Sequence, residues 1–147
     1  ASSPHLAAEL EHKKVDVDVI KNQYNKLSKK FDYVLIEGAG GLLVPLTREY
    51  TVMDLIKELE VPALVIARAG LGTINHTSLT ISALKSRNIK IIGIIMNYFR
   101  GGKIEEDNKK IIGQLSKIPV IGSVPYSKKL KGLADNFEIS VDVGKIL

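Results

Sequence analysis

The feature that most constrains this chain is a set of short, almost purely apolar runs, each ending at a polar residue and a glycine- or proline-bearing turn. They are Tyr33-Val34-Leu35-Ile36, Val61 to Ala67, Ile89 to Met96 with Gly93 inside it, and Val120 to Val124 before Pro125. Runs of this kind lack the polar alternation of a strand with one wet face. They suit strands buried on both faces, as in parallel sheets covered by helices. Pro62 sits at the start of its run, where a missing N–H is tolerated.

The segments between the runs carry helical signals. Ser3-Pro4 is a cap followed by proline at the first helical position, predicting a short helix from His5 to Lys13. Asp16 caps a second helix, with Ile20, Tyr24, Leu27 and Phe31 on one face. Thr51 and Asp54 have capping-box spacing ahead of Val52, Leu55, Ile56 and Leu59. Thr73 to Arg87 and Lys103 to Lys117 read as helices, the second aligning Ile104, Ile111, Ile112 and Leu115. The tail predicts a helical turn and a last helix near Val141 to Leu147. The order is α-α-β-α-β-α-β-α-β-α, so the expected fold is α/β: a doubly wound, mostly parallel sheet with helices on both faces.

Length and composition narrow the classes. A chain of 147 residues is expected to form a single domain, 1–147, with a real core. No apolar run approaches the ~18 residues of a membrane span. The absence of cysteine removes disulfide scaffolds, thiolate metal sites and cysteine nucleophiles, and a cytoplasmic setting is expected. The net charge of +5 is scattered over pairs such as Lys29-Lys30, Lys109-Lys110 and Lys128-Lys129, without interleaved aromatics. A solvated surface rather than a nucleic-acid partner is the expectation. The sequence opens on Ala1 rather than Met and has no charged-then-apolar leader, so a fragment of a longer chain is expected.

Ligands on parallel sheets bind beyond the carboxyl ends of the strands. Four segments lie there. The first is Glu37-Gly38-Ala39-Gly40-Gly41. A carboxylate beside glycine amides can hold Mg²⁺ and phosphate oxygens, or can be a solvated residue in a tight turn. The second, Arg68 to His76, leads two glycines into a helix carrying Thr73 and Asn75. Such a helix start offers free N–H donors to a carboxylate or phosphate, or Thr73 serves only as a cap. The third, Met96-Asn97-Tyr98, offers an amide that matches a base edge or simply forms a turn. In the fourth, Pro125-Tyr126-Ser127, the Tyr can line a base pocket or finish the core. His5, His12 and His76 do not have metal-site spacing, and no catalytic residue is named.

Taken together, these segments resemble dethiobiotin synthetases. The resemblance rests on Ser3-Pro4-His5, Glu37 to Gly41 with Leu43-Val44-Pro45-Leu46, Leu71-Gly72-Thr73-Ile74-Asn75-His76, Asn97, and Ile121-Gly122-Ser123-Val124-Pro125. It implies a P-loop NTPase-like fold and an ATP- and Mg²⁺-dependent ligase that turns 7,8-diaminononanoate and CO₂ into dethiobiotin. It implies Glu37 as a magnesium ligand, with Gly38, Ala39 and Gly40 as backbone beside the nucleotide. Asn97 and Tyr98 would contact the base, and Pro125, Tyr126 and Ser127 would wall the pocket. Gly72, Thr73, Ile74 and Asn75 would receive the substrate carboxylate across a homodimer. The family's phosphate loop is not present: Gly102-Lys103-Ile104 and Gly144-Lys145-Ile146 lack its hydroxyl residue. The expectation is therefore the carboxy-terminal part of a larger domain whose amino-terminal strands are missing here, inactive by itself. The alternatives are a non-catalytic nucleotide-binding or dimerisation module of the same fold, and a cobyric-type amidoligase domain.

Overall fold

The structure is a computed structural model that describes residues 2–128 and 132–146. The chain forms two compact units, Ala1–Val61 and Pro62–Leu147.

The first unit holds α1 (Pro4–Leu10), α2 (Val17–Ser28) and α3 (Val52–Glu58). Local chemistry starts each of them. Pro4 occupies the first helical position of α1. The Asp16 carboxylate accepts from the N–H groups of Asp18 (2.9 Å) and Val19 (3.2 Å) and so caps α2. The capping box at Thr51 forms in full: Thr51 N–H donates to Asp54 Oδ2 at 2.9 Å, and Asp54 N–H donates to Thr51 Oγ1 at 3.3 Å. Leu46, Val52 and Leu55 make the small core, against which Val15, Val17, Ile20, Val44, Ile56 and Leu59 pack. Beside it the Tyr50 hydroxyl donates to the Glu58 carboxylate, and Lys21 Nζ lies 3.4 Å from the same group. The Tyr50 hydrogen bond is the main cause of a lowered Glu58 carboxyl pKa, and burial pushes the Tyr50 phenol up.

Residues 33–36 do not form the expected strand. They are irregular, with Leu35 90% exposed. Extended backbone becomes a strand only when a neighbour accepts and donates its ladder hydrogen bonds. No described residue pairs with this segment, so an apolar run alone was not sufficient. The expected helical face of α2 is also shortened, because the helix ends at Ser28, before Phe31.

The second unit is a three-stranded parallel sheet, β1 (Ala63–Arg68), β2 (Ile91–Phe99) and β3 (Val120–Pro125), in that order. The crossovers are α4 (Thr73–Ser86) and α5 (Lys103–Ser116), followed by α6 (Leu133–Ser140). Helices cover both faces. Ile94, Ile95 and Met96 of β2 are at most 1% exposed, as are Leu84 of α4 and Ile112 of α5. Burying each such side chain is worth ~1.5–3 kcal/mol, so this short stretch anchors the unit. Strand alternation sends Ile95 to the face opposite Ile94 and Met96. There it joins Ile121, Val124 and Val141, with Phe137 and Ile146 packed against them. Lys85 Nζ donates to the Ser116 carbonyl at 2.6 Å and ties α4 to α5.

The expected last helix is replaced by a bridge and a single 3-10 turn, Val143–Lys145. Val141 forms an isolated antiparallel bridge with Gly122, and Asp142 N–H donates to the Ile121 carbonyl at 3.0 Å. The open edge of β3 thus takes the backbone groups that a helix would have used. Leu147, and Lys129 of the Lys128-Lys129 pair, lie outside the described residues. No helix among the described residues is long and apolar enough to cross a membrane.

Two glycines give opposite tests of this packing. A Cβ on Gly122 would stand 2.6 Å from the Ser140 carbonyl oxygen and 2.8 Å from Val141 Cα, both backbone atoms. Gly122→Ala is expected to cost about 1–3 kcal/mol. A Cβ on Gly113, inside α5, meets nothing nearer than 3.7 Å. Gly113→Ala is expected to add about 0.5–1 kcal/mol. Urea midpoints of the two variants, moving in opposite directions at unchanged slope, check both expectations.

Candidate functional site

Parallel pairing brings the carboxyl ends of all three strands of the second unit to one edge of the sheet. Arg68, at the end of β1, is in register with Asn97. Phe99, at the end of β2, is in register with Pro125, at the end of β3. The Ala69 N–H donates to the Asn97 carbonyl at 2.7 Å, and the Tyr126 N–H donates to the Phe99 carbonyl at 2.9 Å. Asn97, Tyr98, Pro125, Tyr126 and Ser127 are therefore neighbours in space, although 27 positions separate Asn97 from the adjoining Val124 and the turn that follows.

The side chains at this edge form a ladder of planar groups. The Arg68 guanidinium carbon lies 5.6 Å from the Tyr98 ring centroid. Tyr98 and Tyr126 have centroids 5.7 Å apart at 37°. The Arg100 guanidinium carbon lies 4.3 Å over Tyr126. A cation over an aromatic face is worth ~0.5–2 kcal/mol, so these contacts hold the rings rather than merely touch them. Tyr98 has φ +60, a left-handed conformation that few large side chains adopt. Its own N–H donates to Asn97 Oδ1 at 2.8 Å, which supports that conformation at the register irregularity of β2. The amide expected to read a base edge thus spends one acceptor lone pair on the backbone and keeps a second.

At the start of α4 the N-cap is Gly72, with φ +87 and no side-chain cap. Thr73 is not the cap. It is buried, and its hydroxyl lies 3.4 Å from that of Thr77. Ile74 is half-buried and Asn75 exposed. The Thr73 N–H donates to the Gly70 carbonyl at 3.3 Å; the N–H groups that follow it in the first turn have no intrahelical acceptor, so this end presents donors and partial positive charge.

Glu37, Gly38, Ala39 and Gly40 belong to the first unit. Glu37 is exposed. Gly38 lies so close to Val52 that a Cβ would meet its Cγ1 at 3.0 Å, and Gly40 has φ +91. Ala39 and Gly40 line a cleft of about 470 Å³ together with Ser2, Ser3, Pro4 and Val44. Two motifs far apart in sequence, Ser3-Pro4 and Ala39-Gly40, thus share one wall. Ser3 Oγ and His5 Nδ1 are 3.0 Å apart, and Arg48 makes a two-pronged bond to Glu9 at 2.9 and 2.7 Å. Among the described residues, no group of three or more His, Asp or Glu side chains converges to hold a metal.

This geometry is glycine-rich loops and a helix start at the carboxyl ends of a parallel sheet. The family model that matches it, over residues 1–134, is described as an AAA domain. The chain belongs to the AAA domain family. Its fold is accordingly a P-loop NTPase-like α/β fold. Among the curated relatives of the chain is the ATP-dependent dethiobiotin synthetase of Clostridium acetobutylicum, 42% identical over 89% of this chain and 56% of the relative. The enzymes of the same name from Brachyspira hyodysenteriae and Halalkalibacterium halodurans are 44% and 48% identical, over 84% and 85% of this chain and 58% and 53% of theirs. The chain therefore spans a little over half the length of the relatives it matches.

Three residues at the strand ends were not singled out from the sequence of this AAA domain: Arg68, Arg100 and Glu105. Their signal was positional. Arg68 closes a strand, and Arg100 and Glu105 bracket the Gly101-Gly102 turn that follows one. The helix start makes a prediction of its own. Gly72→Ala forces a Cβ into the left-handed region and to 3.4 Å from the His76 ring. It is expected to destabilise the protein by about 1–2 kcal/mol, read as a lower thermal midpoint.

Proposed function

We propose that the protein carrying this chain is an ATP-dependent dethiobiotin synthetase of biotin synthesis. The observation that carries this reading is the 42–48% identity, over 84–89% of the chain, to relatives of that name. In the proposed reaction, one amine of 7,8-diaminononanoate adds CO₂ and loses a proton to give a carbamate. A carbamate oxygen then attacks the γ-phosphorus of ATP, and ADP leaves. The second amine attacks the activated carbonyl, phosphate leaves, and the ureido ring closes. Such chemistry asks the protein chiefly for positioning and for neutralising charge on the transferring phosphoryl group.

Each role is assigned to its own segment of the chain. Asn97, Tyr98, Pro125, Tyr126 and Ser127 hold the nucleotide's base end, for which the ring ladder offers flat faces. Gly38, Ala39 and Gly40 bring backbone N–H groups to the phosphates and substrate. Glu37 is the magnesium ligand. A single exposed carboxylate fits Mg²⁺, which usually takes one or two carboxylates and completes its shell with phosphate oxygens and water. The ion would supply charge neutralisation at the phosphates. Gly72, Thr73, Ile74 and Asn75 receive the substrate carboxylate across a homodimer, a reading supported by the donors of the α4 start. The chain is part of a larger P-loop NTPase-like domain, a reading that the relatives' greater length supports. The enzyme works in the cytoplasm.

Glu37→Gln removes the charge and keeps the shape. Because Glu37 is exposed, stability is expected to stay within about 0.5 kcal/mol. Dethiobiotin formation by the full-length protein is expected to fall by about 100-fold or more. Near-normal synthesis by this variant at saturating Mg²⁺ would remove Glu37 from the metal site.

A further inference from the structure

We infer that Glu105 is a positioning residue for the nucleotide base: through the Arg100–Gly102 turn it sets the Arg100 guanidinium on Tyr126, making the flat cationic wall on which the base stacks. This rests on the proposed use of ATP and adds to it the residues that build the base wall and the manner of recognition, stacking rather than phosphate pairing.

The argument begins with α5. Its N-cap, Gly102, has no side chain to cap with. In an ordinary capping box the carboxylate at the third helical position returns to the N–H of the N-cap. Glu105 stands at that third position but reaches past the N-cap. Its Oε2 accepts from the N–H of Arg100 at 2.7 Å and from the N–H of Gly101 at 2.9 Å. Both bonds are charge-assisted, and both fall on residues outside the helix. Gly101 and Gly102 have φ of +82 and +98, so the turn would otherwise have a wide choice of conformations. Glu105 removes that choice on the side where Arg100 leaves the backbone.

Arg100 then lies 4.3 Å over Tyr126. Tyr126 is held from the other direction by its N–H bond to Phe99 and by its contact with Tyr98. The stack Tyr98–Tyr126–Arg100 ends on an exposed guanidinium plane. A planar, weakly hydrated cation stacks well on π systems, and stacking on such planes tolerates any base. Lys109 Nζ, 5.9 Å from the Phe99 ring, adds positive charge nearby but presents no plane.

The test uses the full-length protein with three probes: ATP, adenosine and inorganic tripolyphosphate. Arg100→Met and Glu105→Ala are each expected to weaken ATP and adenosine about tenfold and to leave tripolyphosphate within twofold. The double variant is expected to be no worse than either single one, because both act on the same group. Glu105→Gln, whose amide oxygen still accepts from both N–H groups, is expected to restore most of the affinity. KM for ATP is expected to rise while kcat stays within twofold. Unchanged ATP affinity in Glu105→Ala, a parallel loss of tripolyphosphate binding, or losses that multiply in the double variant would each overturn the inference. A wild-type protein that binds no ATP would overturn the proposed function itself. ATP binding that both variants leave intact would overturn the positioning role alone.

Discussion

Everything in the second unit depends on β2 being hydrogen-bonded along both edges. A strand so placed has no water on either edge and little on either face, so Ile94, Ile95 and Met96 are sealed from solvent. The helices follow from this constraint. Each parallel neighbour needs a crossover, and α4 and α5 provide both the connection and the cover that the apolar faces require. The cost falls on close approach: Gly93 and Gly122 stand where a side chain would collide with Ile121 or with the Ser140–Val141 backbone.

The same pairing creates the candidate site at one edge of the sheet. Parallel strands all end on one side, so the residues just beyond them gather without any direct sequence relation. Arg68 and Tyr98 stand at the ends of β1 and β2, and Tyr126 directly follows β3. Their rings and guanidinium groups nonetheless meet within 6 Å because the registers of β1 with β2 and of β2 with β3 align the strand ends. The left-handed backbone of Tyr98 within β2 and the Glu105 clasp on the turn that follows are local devices that aim side chains at that edge. Strained or specially capped backbone beside a site is expected where orientation matters more than local stability.

Much of this was legible in the residues. The capping chemistry at Asp16 and at Thr51 with Asp54 appeared as its spacing required, because a cap is satisfied within four residues. The bounds of α4 and α5 came within one residue of those expected, although neither helix has a side-chain cap. By contrast, Tyr33 to Ile36 reads as a buried strand and is not one, since strand formation depends on a partner that no local pattern contains. The tail failed for a related reason: Val141 and Asp142 have acceptable helical neighbours, yet the open edge of β3 competes for their backbone.

The division between the two levels is therefore physical. By itself the sequence determined what short-range forces decide: where the capped helices start, glycines that let the backbone turn left-handed, and the α/β alternation of the second unit. Only the tertiary structure decided which runs found partners and that Arg100 lies on Tyr126. Those outcomes depend on register between segments tens of residues apart, and a residue carries no local record of what lies across the sheet from it.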